Sequence, residues 1–242
     1  MATMLSDRTR LAQGYFAEGD RYLRANYRIR RRAELAREVL GPLTGKHIVD
    51  LGCGDGAVSA SFAEARHIAF VDSAADMVGR ARSGRANRPA TYLVDDLHAV
   101  TLDDPGDVVM CLGVLAHVDD SRDTMRAIAR NLVSDGRALV QFSPAERAVN
   151  RVGLPLLRMR TGLGYRATAT RDVVAAATEA GLRVVARRDH LLLIPGTAAL
   201  LGKGLPRYDR AVCRRPSIAR SGSDTLLPLE HHRSEGHDPA RR

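Results

Sequence analysis

Tryptophan is absent from this 242-residue chain, all aromatics together make up 4% of it, and there are three cysteines. Few aromatics imply an aliphatic core of Ala, Val, Leu and Ile. They also leave few platforms on which a single-stranded nucleic acid could stack its bases. Cys53, Cys111 and Cys213 are odd in number, far apart and never in a CxxC pair. That excludes a disulfide framework and a thiolate zinc site, predicts no metal centre and suits a reducing compartment. Long apolar runs are missing too. Met1–Gln13 has none of signal-peptide length, and Leu191–Leu205 is interrupted by Pro195 and several glycines. The expectation is a cytoplasmic protein without a transmembrane segment. Lysine occurs only at Lys46 and Lys203, so the positive charge is almost all arginine.

Hydrophobic residues amount to 45%, enough for the core of one α/β domain. The formal charge is +9, unevenly placed. Residues 1–40 carry nine arginines against five carboxylates, and residues 203–242 nine cations against five. The body between is nearly neutral. Basic ends admit an anionic substrate, nucleic acid or a membrane surface, and equally a solvated arginine-rich surface.

Apolar periodicity places a helix over 8–40, with Tyr15, Phe16, Tyr22, Leu23, Tyr27, Leu35 and Val39 at three- and four-residue spacings. Short apolar runs at 47–51, 68–71, 91–94, 107–112 and 137–142 read as strands. Helices are expected at 58–65, 74–82 and 121–133 between them, and at 170–180 before a strand at 182–187. Such alternation predicts a parallel sheet with helices on both faces. The chain divides into an N-terminal helical lid (1–40), a main domain (41–216) and a disordered basic tail (217–242). An insertion at 145–168 is a candidate second lid, and Leu191–Ile194 a candidate last, antiparallel strand.

The central motif is Val49-Asp50-Leu51-Gly52-Cys53-Gly54-Asp55-Gly56. A chain leaving a buried strand must turn at once, and glycine lets the backbone turn and approach a ligand closely. Gly52-x-Gly54-x-x-Ala57 also fits a dinucleotide fingerprint, with Asp72 twenty residues on for the ribose. Three features favour a sulfonium nucleoside over a pyrophosphate. Asp50 precedes the glycines, where a carboxylate suits a cation. Asp95-Asp96-Leu97 ends the third strand with a carboxylate and backbone N–H suited to an adenine edge. The fourth strand runs into Leu112-Gly113-Val114-Leu115-Ala116-His117, where a transferred group would project.

On these residues, 47–118 and 170–187 resemble the class I S-adenosylmethionine-dependent methyltransferases. The resemblance implies a Rossmann-like seven-stranded sheet with its last strand antiparallel, and S-adenosyl-L-methionine as cofactor. It implies Asp50, Gly52, Cys53, Gly54 and Gly56 on the methionine moiety, with Leu112 and Gly113 beside it. Asp72 and Ser73 fall at the ribose, and Asp95, Asp96, Leu97 and Met77 at adenine. Tyr15 and Tyr22 would close over the cofactor. A further resemblance, to magnesium-protoporphyrin O-methyltransferases, rests on Tyr15-Phe16, Cys111–His117 and Leu139–Pro144; it implies Tyr27 and His117 beside the reacting group.

The sulfonium already activates the methyl, so the protein must chiefly hold the acceptor on axis. A base is needed only for an acceptor that loses a proton, and His117 is the candidate. The expectation is O-methylation of a small molecule. The competing readings are an RNA-binding or RNA-modifying protein, from Arg28-Ile29-Arg30-Arg31-Arg32 and the basic tail, and an NAD-dependent oxidoreductase. Against the RNA reading, Leu112-Gly113-Val114-Leu115 stands where base-amino methylases carry Asn/Asp-Pro-Pro-aromatic.

Overall fold

The computed structural model describes residues 26–84, 89–161, 165–190, 201 and 204–232. Tyr15, Tyr22 and the candidate strand 191–194 lie outside them. An eight-stranded sheet runs through the molecule. Its first five strands are β1 (His47–Leu51), β2 (His67–Asp72), β3 (Ala90–Val94), β4 (Gly106–Leu112) and β5 (Leu132–Phe142). These are parallel and ordered β3-β2-β1-β4-β5. Beyond β5 lies β8 (Asp224–His231), antiparallel, and beyond that the short β6 (Leu182–Val184) and β7 (Arg188–His190), both paired to β8.

The strands are apolar because helices cover both faces. On one side α1 (Asn26–Leu40) lays Leu35, Ala36 and Leu40 over Ile48, Phe70, Val108, Met110, Leu139 and Leu226. α2 (Ala75–Ser83) adds Ala81 to that cluster. On the other side α3 (Ser121–Arg130) and α5 (Thr170–Glu179) bring Met125, Ile128, Val173 and Ala177 onto Val49, Val71, Val109, Val140 and Leu227. Between them in the chain, α4 (Ala148–Thr161) carries Pro155 inside it. α6 (Leu205–Cys213) and the short α7 (Pro216–Ala219) follow β7.

Three expectations change. The tail is not disordered throughout: Asp224–His231 is a strand flanked on both sides, with Leu226, Leu227 and Leu229 no more than 1% exposed. The polar composition of its surroundings hid an apolar run, Leu226-Leu227-Pro228-Leu229. Proline within it explains why the neighbouring edge is split. Pro228 accepts from Val185 N but has no N–H to return, and the gap between β6 and β7 falls there. The helix expected at 58–65 is one 3₁₀ turn, Ser59–Ser61. The helix expected to reach 133 stops at Arg130, because the buried Asn131 turns its amide to Ala127 O and Val100 O and accepts from Leu102 N.

Candidate active site

The carboxyl ends of β1, β2, β3 and β4 converge on the glycine loop. Gly52, Gly54 and Gly56 all have positive φ, at 72°, 55° and 67°. Space is as restrictive as conformation: a Cβ on Gly52 would stand 2.3 Å from Val114 Cγ2, and one on Gly56 2.6 Å from the Phe70 ring. Gly52 N and Cys53 N both donate to Val71 O, fastening the loop to the end of β2.

Asp72 ends β2. One carboxylate oxygen accepts from Gly54 N at 2.8 Å and the other from Ala74 N at 2.9 Å. Each oxygen keeps a lone pair for a ligand hydroxyl, which fits a ribose diol. Burial raises the Asp72 pKa, opposed by these N–H donors. Asp72 does not cap α2; Ala74 holds that position and makes no side-chain cap. Asp50, 5% exposed, accepts from Ser59 Oγ at 2.5 Å. Sequence reasoning missed Ser59, whose only trace there was a hydroxyl following the third glycine. Burial, and then Asp50, Asp72 and Asp55, push the Cys53 thiol well up from its ordinary pKa. The thiol stays neutral and donates to Gly54 O. The loop therefore lies in a field set by three carboxylates.

Asp95 N donates to Asp72 O, so the ends of β2 and β3 are linked. Asp95 is exposed and accepts from Asp96 N, while Asp96 accepts from His98 N at 3.0 Å and has His98 Nδ1 at 3.5 Å. Leu97 packs against the core, and Met77 is 2% exposed in the buried face of α2. Ser73 is half-buried beside Asp72. After Leu112, Gly113 turns with φ 83° and the chain re-enters the core through Val114, Leu115 and Val118.

His117 is half-buried on that turn, its ring 5.2 Å from the Tyr165 ring, and its backbone N–H donates to Val114 O. Tyr165 belongs to the segment read as an insertion. That segment is stitched down: Arg166 N donates to Ala116 O and its guanidinium to Asp119 O, while Thr168 bridges Ser143 and Ala145. Tyr27, expected beside His117, is engaged elsewhere. Its hydroxyl donates to Asp209 Oδ2 at 2.6 Å, an oxygen it shares with Arg31 Nε, and Cys213 Sγ donates to the other oxygen. Burial and Asp209 raise the tyrosine pKa far beyond its ordinary value. Tyr27 is thus a strut between α1 and α6. Among the described residues no group of three or more His, Cys, Asp or Glu could hold a metal ion, and no helix is long and apolar enough to cross a membrane.

Residues 48–136 match the family model described as a methyltransferase domain. The chain is 32% identical over 130 residues to the ubiquinone biosynthesis O-methyltransferase of Aeromonas salmonicida (strain A449), 52% of either chain. It spans about half the length of the curated relatives it matches. Among solved structures, magnesium protoporphyrin IX methyltransferase from Synechocystis PCC 6803, with bound SAH, aligns at a TM-score of 0.66 and 18% identity, covering 92% of this chain and 99% of that one. The putative methyltransferase bound to the Haloferax volcanii Trm112 activator aligns at 0.69 and 19%, covering 95% and 99%. Residues 48–136 are thus similar in sequence to a methyltransferase domain, and the whole sheet shares the fold of the methyltransferase structures aligned with it.

Proposed function

We propose that the chain transfers a methyl group from S-adenosylmethionine to a small-molecule acceptor, on oxygen. The observation that carries the reading is the trio of carboxylates around the glycine loop together with the lack of a full helix behind it. A dinucleotide loop places its pyrophosphate at a helix N-terminus. Here the loop runs into a three-residue 3₁₀ turn whose Ser59 is turned onto Asp50. That arrangement suits a ligand carrying an ammonium and a sulfonium, and repels a pyrophosphate.

When bound, the donor supplies a methyl already activated on its sulfonium. The residues that would hold it are Asp50 with the loop glycines at the methionine end, Asp72 at the ribose, and Asp96 with Leu97 at adenine. Gly113 and Val114 bound the space in which an acceptor meets the methyl. His117 takes the acceptor's proton, with Tyr165 packed beside its ring to orient it. In-line positioning is worth roughly 7–11 kcal/mol of barrier, a base about 10²–10⁴-fold, so His117 is the smaller contributor. The name shared by the ubiquinone O-methyltransferase relatives supports oxygen as the acceptor atom.

The RNA reading loses its main support. Of the Arg28–Arg32 run, Arg31 is 7% exposed and bound to Asp209, Glu34 and Glu38, so that arginine is already committed to carboxylates of this chain. Calorimetry tests the proposal. S-adenosylhomocysteine should bind and NADH should not, and His117→Ala should lower turnover about 10²-fold or more while leaving that affinity within twofold. Binding of NADH alone would overturn the reading, and full activity in His117→Ala would remove the base.

A further inference from the structure

Neighbouring arginines on α1 have different fates. Arg31 is buried in a cluster of carboxylates. Arg32, the next residue, pairs with no carboxylate among the described residues. Its guanidinium lies over the end of β4: a Cβ on Gly113 would stand 3.0 Å from Nη1 and 3.1 Å from Nη2. Gly113 precedes Val114, whose methyl closes over Gly52. A cation with no carboxylate partner among the described residues thus borders the place where donor and acceptor would meet.

A second, separate group points the same way. His190 closes β7 and is 1% exposed, yet neither ring nitrogen has a hydrogen-bond partner among the described residues. Buried polar groups are almost always paired, so two orphaned nitrogens on one ring leave room for a hydrogen-bonding occupant. His190 stands in register with Asp224, so the two side chains share a face of the sheet. By strand alternation it is the face of Leu226, the one α1 covers. Asp224 is itself engaged, accepting from Ser143 Oγ at the end of β5. Arg32 is among the charges felt at the His190 ring, with Asp224, Asp209 and Arg31.

We propose that Arg32 and His190 form a subsite for a carboxylate that the methyl acceptor carries apart from the atom it has methylated. This rests on the methyl-transfer reading above. The guanidinium offers a planar fork matched to a carboxylate, and a neutral imidazole adds one N–H. The donor has a carboxylate of its own, but the position of His190 argues against that occupant. It lies three strands from β4, on the opposite side from Asp72 and Asp96.

The test uses full-length protein saturated with S-adenosylhomocysteine and two probes, benzoate and benzyl alcohol, followed by the NMR resonances of the Arg32 Nε–H and the His190 ring. Benzoate should move both resonances along one saturable curve, benzyl alcohol neither. Arg32→Met should weaken benzoate at least tenfold, and His190→Leu severalfold, with S-adenosylhomocysteine affinity within twofold in each. Thermal melting confirms that the variants fold, and Arg32→Met, at a half-exposed position, keeps the test open should His190→Leu fail. Silence of both resonances, equal response to benzyl alcohol, or a tenfold loss of S-adenosylhomocysteine affinity in Arg32→Met would each overturn the subsite, the last by assigning the arginine to the donor. Failure of the unaltered protein to bind S-adenosylhomocysteine at all would instead overturn the methyl-transfer reading on which the subsite rests.

Discussion

Ser59 Oγ donates to Asp50 Oδ2 at 2.5 Å where both residues are buried: Ser59 is 0% exposed and Asp50 5%. A hydrogen bond to a buried charge contributes about 1.5–3 kcal/mol, and removing it leaves the carboxylate under-satisfied. Ser59→Ala should therefore lower the unfolding free energy in urea by about that amount. It should also weaken S-adenosylhomocysteine severalfold in calorimetry, because Asp50 loses one of the bonds that orient its carboxylate. Ser61→Ala removes a hydroxyl bonded only to a nearby backbone carbonyl and is the control, expected to change neither measurement much.

Two glycines separate conformation from space. Gly45 and Gly52 share a φ of 72°. A Cβ on Gly45 meets nothing within 4 Å, while one on Gly52 collides with Val114, itself 9% exposed. Gly45→Ala should cost only the left-handed strain, about 1 kcal/mol, with donor affinity intact. Gly52→Ala adds overpacking and should cost about 2–5 kcal/mol, with donor binding lost. Equal costs in denaturant titrations would refute the close approach of Val114.

The buried imidazole sets a pH dependence. Burial lowers the His190 pKa from 6.5 to about 4, with Arg32 and Arg31 reinforcing the effect and Asp224 and Asp209 opposing it. Between those values the unfolded chain binds the proton and the folded one does not. Stability from this group is complete above pH 6.5 and declines as pH falls toward 4. Between pH 7 and pH 5 the loss is about 2 kcal/mol. Subtracting the profile of His190→Leu isolates it, since the carboxylates titrate alike in both proteins. Parallel profiles would show that the ring titrates normally.

The residues proposed for the donor half of the site could be marked out in sequence because their signals are local. Asp50, the glycines, Asp72 and Asp96 all fall at strand ends, and a strand end is marked in sequence by an apolar run meeting glycine or aspartate. What depended on contacts between distant segments was not readable. Tyr27 meets Asp209 across 182 positions, and no periodicity announces that pairing. Tyr165 reaches His117 only because Arg166 and Thr168 stitch their segment to the turn and to β5. The turn at Ser59 was mistaken for a helix because the alanines satisfy helix propensity, while the serines favour turns and the Ser59 hydroxyl's bond to Asp50 overrules the alanines. Asp224–His231 was missed because composition was averaged over a polar stretch, and an average conceals eight residues that alone would have read as buried.

That strand gives the molecule an order of events. Among the described strands it is the last to leave the ribosome, and yet it lies inside the sheet, between β5 and the pair β6 and β7. Until residue 231 emerges, the flank of β5 stands open, its backbone donors and acceptors facing whatever is near. Sealing it joins segments some ninety positions apart, Ala138 to Leu229, a slow closure for a chain of this size. A growing polypeptide of this kind has reason to recruit a chaperone late in synthesis, and a message cut short just before Asp224 would release a product prone to stick to its own copies through that bare edge.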